Sequence, residues 1–208
     1  MIEIIPIEYG KSVLTEDMIF YDGSKDRIRP IVFIVYLIKT ENRTILVDAG
    51  CETMPGFKMH AFIGSVKALE KIGVNRNDVT DVIITHAHHD HIECVKYFTN
   101  ATIHIEKDEY ESGREYIPDD FKTNIFTDRL NICENITVLK IGGHSKGSCI
   151  VEIKKDNKTF VIAGDECYSR SCLSDKRYTG SSYDERLSKE FILKYSDEKY
   201  TALLCHDI

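Results

Sequence analysis

The sequence has no tryptophan, only 4 prolines, and no Cys-x-x-Cys pair among its 7 cysteines. Without that pairing, zinc-ribbon and thioredoxin-type sites lack their ligands. The cysteines are odd in number and scattered at positions 51, 94, 133, 149, 167, 172 and 205. That pattern predicts reduced, mostly buried thiols and a cytoplasmic protein rather than a disulfide framework. Long hydrophobic runs are also missing: the longest, Ile31 to Ile38, spans eight residues, well short of the ~20 a membrane helix needs. The start, Met1-Ile2-Glu3-Ile4-Ile5-Pro6, has no basic segment, so neither export nor a membrane partner is expected. Basic charge is in deficit, 27 against 34 acidic residues for a net −7, which argues against nucleic acid and for a small-molecule substrate. No Pro/Gly/Ser-rich linker or repeat interrupts the 208 residues. A single domain over 1–208 is the expectation, with no oligomeric state specified beyond the option of a homodimer.

Apolar patterning supplies the elements. Residues 2–7 alternate, 31–38 are β-branched and aromatic, and Thr44-Ile45-Leu46-Val47 resumes the pattern after a turn at 41–43, predicting a hairpin. A helix is expected over 61–72, a strand over 82–85, a helix over 90–98 and a strand over 102–105. The charged stretch 107–130 reads as a helical turn plus a surface loop. Strands at 136–141, 149–153 and 159–162, a helix at 184–195 and a strand at 201–205 complete the chain. Strands cluster between single helices, which predicts two sheets with helices outside them, an α+β fold.

The segment Thr85-His86-Ala87-His88-His89-Asp90-His91 places four of the 8 histidines in six residues, between an apolar strand and a helix. Imidazole and carboxylate at this density suit a divalent ion such as zinc. In an extended turn His86 and His88 point the same way and can share one ion, whereas Asp90 and His91 open the next helix and can reach a second. His144, Asp165 and His206 each follow a predicted strand, where loops converge on one rim.

These residues, with Asp48-Ala49-Gly50 ahead of them, resemble the metallo-β-lactamase fold superfamily, whose motif His-x-His-x-Asp-His is matched by His86, His88, Asp90 and His91. The resemblance implies a four-layer αββα sandwich. It implies one ion on His86, His88 and His144, another on Asp90, His91 and His206, Asp165 bridging, and Asp48 orienting the loop. The two ions are expected to be zinc, with iron or manganese as alternatives. Such a pair would hold a bridging hydroxide, so no Ser or Cys nucleophile is needed, and Asp90 would relay a proton.

Within the superfamily, Asp165-Glu166-Cys167-Tyr168 and the ending Leu204-Cys205-His206-Asp207 resemble the N-acyl homoserine lactonases. Tyr168 would then donate to the substrate's carbonyl or leaving oxygen. With 43 residues after Asp165, the helical domain of glyoxalase II enzymes is not expected. The family's His-Thr-Pro-Gly-His stands here as His144-Ser145-Lys146-Gly147-Ser148; metal binding should survive, with a changed loop. Met54, Phe57 and His60, with Phe62, are placed at the substrate pocket by position. The expected function is a dinuclear metal-dependent hydrolase of a lactone, ester or related carbonyl substrate. The alternatives are a phosphodiesterase or thioesterase of the same fold, and a non-catalytic metal-binding sensor, which the seven filled ligand positions disfavour.

Overall fold

The computed structural model describes residues 2–207. Strand β1 (Glu3–Thr15) leads through helix α1 (Glu16–Ile19) to β2 (Ile28–Lys39). Then come β3 (Thr44–Val47), α2 (Ser65–Lys71), β4 (Asp81–Ile84), α3 (His89–Ile92), β5 (Thr102–Glu106), α4 (Lys107–Ser112) and β6 (Thr123–Phe126). These six strands form one sheet in chain order. Strands β2 and β3 pair antiparallel as the predicted hairpin, with Tyr36 opposite Val47; β3, β4, β5 and β6 are parallel. Strands covered on both faces need apolar residues at every position. Accordingly Ile45, Leu46, Val82, Ile83 and Ile84 are all fully buried, each contributing ~1.5–3 kcal/mol of transfer free energy.

The remaining strands β7 (Arg129–Cys133), β8 (Ile136–Lys140), β9 (Cys149–Lys155), β10 (Lys158–Ile162) and β11 (Tyr200–Leu203) form a second sheet, ordered β11-β10-β9-β8-β7. All neighbours are antiparallel except β10 and β11. Helices α5 (Arg170–Ser174) and α6 (Glu185–Tyr195) belong to this part. The Asp184 side chain caps α6 by accepting from Leu187 N at 3.1 Å. Contacts divide the chain into two compact units: residues up to 12 with 32–126, and 13–31 with 127 onward. Each unit has a mixed sheet with helices, the α+β class expected. Among the described residues no helix is long and apolar enough to cross a membrane.

Four local expectations change. In the stretch 107–130 the expected helical turn is α4, but β6 and the start of β7 stand where only a loop was expected. Strand β6 is a short sheet edge whose Ile125 is exposed, so it shows no alternation. The helix expected over 61–72 starts only at Ser65, because Ala61 and Gly64 are left-handed. The helix expected over 90–98 is one α-turn, α3, followed by a 3-10 turn over Glu93–Tyr97. Strand β1 runs to Thr15, past the 2–7 segment that alternates.

Candidate metal centre

In the first unit Asp48 follows β3 and the histidine-rich loop follows β4. The two strands are parallel, so both segments leave the same end of the sheet. Asp48 is left-handed, φ 61°, a conformation rare for a residue with a Cβ and held only where surrounding bonds enforce it. They do: its carboxylate accepts from Thr85 N at 2.8 Å, from Thr85 Oγ1 at 2.9 and 3.0 Å, and from His91 Nδ1 at 2.8 Å. Gly50 is also left-handed, and a Cβ there would lie 2.4 Å from Ser65 Cβ. The Asp-x-Gly spacing is thereby fixed by backbone conformation and by space.

These bonds set the imidazoles. A carboxylate only accepts, so His91 Nδ1 carries a proton; in the neutral ring Nε2, turned to Asp90 Oδ2 at 3.5 Å, presents the lone pair. Thr85 Oγ1 gives its proton to Asp48 and meets His86 Nδ1 at 3.2 Å. His86 Nε2 then faces His88 Nδ1 at 3.0 Å. Two imidazole nitrogens each ~2.0–2.1 Å from one zinc would stand about 3.3 Å apart, close to this separation. Asp48 thus orients His91 directly and His86 through Thr85. Between them, Ala87 N donates to the buried Glu109 carboxylate of α4 at 2.7 Å. Tyr9 is buried too, and its hydroxyl donates to the Asp90 carbonyl at 2.8 Å.

In the second unit β8, β10 and β11 run in one direction, and His144, Asp165 and His206 follow their C-terminal ends. His144 Nδ1 donates to the Ser181 carbonyl at 2.7 Å, which turns Nε2 toward Asp165. Asp165 divides its carboxylate: Oδ2 lies 3.5 Å from His144 Nε2 and Oδ1 lies 3.1 Å from His206 Nε2. Tyr168 packs against both imidazoles, stacked on His206 at 5.0 Å and edge-on to His144 at 6.0 Å. Beside Asp165, Glu166 is fully buried. Burial pushes its carboxyl up to about 7, against bonds from Ser148, His144 and Gly143 that lower it.

The donors present fit divalent metal. Five imidazoles and two carboxylates are the ligand types of zinc, iron or manganese sites. Where a ring nitrogen is tied to Asp48, Thr85 or Ser181, the other carries the lone pair a cation needs. Burial pushes the Cys51 thiol up to about 12 and raises Cys94 and Cys167 as well.

Met54, Phe57, His60 and Phe62 lie on the loop after Asp48. His60 is exposed and bridges to Lys11, and Phe62 packs 6.1 Å from the Tyr9 ring. A pocket of about 280 Å3 in the second unit adjoins Tyr168 and His206 and is floored by Ile19, Phe20, Pro30 and Ile31. Sequence reasoning passed over these four, as it did Thr85, Glu109 and Glu166. A buried anchoring carboxylate carries no compositional mark; only the position of Glu166 beside Asp165 hinted at its place.

An α+β fold with histidines and aspartates gathered beyond strand ends is the architecture of a metal-dependent protein. The chain belongs to the metallo-beta-lactamase superfamily, whose family model matches residues 35–205. It is 24% identical over 181 residues to the N-acyl homoserine lactonase AiiB of Agrobacterium fabrum, an alignment covering 69% of this chain and 66% of that protein. The chain therefore spans slightly under two thirds of that relative's length. Among solved structures it is similar to an N-acyl homoserine lactone hydrolase with N-hexanoyl-L-homoserine at its catalytic metal centre. There the TM-score is 0.85 with 21% identity, over 99% of this chain and 93% of that one. It is similar also to AidC, a dizinc quorum-quenching lactonase, with TM-score 0.80 and 19% identity over 99% and 87% of the two chains.

Proposed function

We propose that the chain is a dinuclear metal-dependent hydrolase that opens lactones of the N-acyl homoserine type or related esters. The observation that carries this reading is the divided carboxylate of Asp165, one oxygen toward His144 and the other toward His206. A carboxylate set between two imidazoles suits a shared ligand of two cations. His86, His88 and His144 would hold one ion, Asp90, His91 and His206 the other, with Asp165 common to both. The family match over 35–205 draws on residues of both units. Zinc is the first choice of metal, with iron and manganese as alternatives. When bound, such ions supply Lewis acidity and a water acidified to near neutral pH.

The chain's own residues do the rest. Asp48 and Ser181 hold the ligand tautomers. Asp90 accepts a proton as the scissile carbonyl is attacked. Tyr168, fixed by its packing on His206, donates its hydroxyl proton to the carbonyl or leaving oxygen, which stabilises the charge that develops there. The pocket beside Tyr168, about 280 Å3, suits a small-molecule substrate. Seven cysteines, six of them buried, fit a reducing compartment such as the cytoplasm.

The test is a substrate panel on protein of verified metal content: N-hexanoyl homoserine lactone, a simple γ-lactone, a thioester and bis-p-nitrophenyl phosphate. Lactone opening should dominate. Turnover of the phosphodiester or the thioester alone would replace the lactonase reading, and a loaded protein inert to all four would end it.

A further inference from the structure

The mechanism above makes no use of Glu166, yet this carboxylate is the most heavily engaged acid near His144. Its Oε1 accepts from Gly143 N at 3.1 Å, His144 N at 3.2 Å and Ser148 Oγ at 2.5 Å. Its Oε2 lies so close to Gly143 that a Cβ there would come within 2.3 Å. Glycine at 143 is therefore what lets the carboxylate lie flat beneath the loop. From the other side the Gly143 carbonyl accepts from Tyr183 N at 2.7 Å and Asp184 N at 3.0 Å, and the His144 ring is tied to Ser181. Backbone and ring of His144 are thus pinned at separate points. The loop holds Lys146 and Ser148 where the motif it resembles has proline and a second histidine, so the stiffness of a fixed proline φ is missing.

We infer that Glu166, with Ser148, is a positioning residue that clamps the 142–148 loop and sets the aim of the His144 imidazole. Glu166 shares a single 3-10 turn, Gly164–Glu166, with Asp165. The clamp therefore fixes two candidate ligands relative to each other in one piece of chain. Three donors converging on one oxygen tie Gly143, His144 and Ser148 to a single side chain. The inference rests on His144 being a metal ligand, as proposed above.

The test is metal affinity and release rate, measured with zinc alone against a chromophoric chelator, on wild type and on His144→Ala, Glu166→Ala, Glu166→Gln and Ser148→Ala. Metal-free melting is recorded for each. Glu166→Ala should weaken one of two ions by ~10–100-fold, the usual cost of losing a group that orients a ligand, and speed its release. Glu166→Gln keeps an oxygen at the Oε1 position and should recover most of the affinity. Ser148→Ala removes one bond of the three and should fall between, and it decides the matter if Glu166→Ala does not fold. Wild-type affinity in both Glu166→Ala and Ser148→Ala, with His144→Ala impaired, would overturn the clamp alone. Wild-type affinity in His144→Ala would overturn the ligand assignment and the clamp with it. A loss of metal-free stability with affinity unchanged would make Glu166 a merely structural residue, which also overturns it.

Discussion

Asp48 and Tyr168 separate two ways a side chain can serve this site. Asp48 serves through other residues: one carboxylate fixes His91 directly and His86 through Thr85. Replacing it with alanine should weaken zinc binding by ~10–100-fold, read as lower metal content after dialysis, with both bound ions affected. Tyr168 would act on the substrate itself. Tyr168→Phe keeps the ring stacked on His206 and removes only the hydroxyl. It should leave metal content unchanged and lower kcat for lactone opening by ~100-fold, the scale of losing one donor to a developing oxyanion. A drop in KM alone, or an unchanged kcat, would remove Tyr168 from the chemistry.

At the scale of elements, a polar cluster ties strands of the first sheet together. The Asp81 carboxylate at the start of β4 accepts from Arg43 before β3 at 2.8 Å and from His104 of β5 at 2.9 Å. His104 in turn meets Asn124 of β6 at 3.1 Å, so one network joins three strands and the turn before β3. Burial pushes the Asp81 carboxyl up, but hydrogen bonds from His104 and Thr80 and the charge of Arg43 outweigh it and hold the group at about 2. The folded value lies below the unfolded ~3.9. The stabilisation is therefore present above pH ~4 and is lost as pH falls through about 2. Asp81→Asn should melt ~2–4 °C below wild type at pH 6, about 1 kcal/mol after discounting for the partly exposed Arg43. That gap should narrow as pH falls toward 2.

The same scale shows what was legible in the sequence. The candidate cluster was readable because His86, His88, Asp90 and His91 lie within six residues, and local spacing alone puts them together. His144, Asp165 and His206 were readable because each follows a strand of strong β pattern. Strand β6 was not, since its register is set by β5 through pairings such as Ile105 with Ile125 rather than by its own residues. Nor were Glu109 and Glu166, acids by composition that become anchors only when the fold buries them.

At the scale of the molecule, the ligand groups of both units should make metal a part of folding stability. Ligand that binds only the folded state stabilises it by ~4 kcal/mol at a thousandfold excess over Kd. Treatment with EDTA should therefore lower the Tm by ~10 °C or more and abolish turnover, and zinc or manganese should restore both together. Recovery of Tm without recovery of turnover would point to an ion in the wrong place.

Strand β11, which carries His206 beyond its end, lies at the margin of the second sheet with β10 as its one neighbour there. An edge strand bonded along a single flank is the first to peel in local opening. With His206 as a ligand just past it, a bound ion would act as a rivet at this edge of the sheet. Loading should thus show up as slowed amide exchange and resistance to protease nicking along Tyr200–Leu203, well before any change in the deeply buried β4.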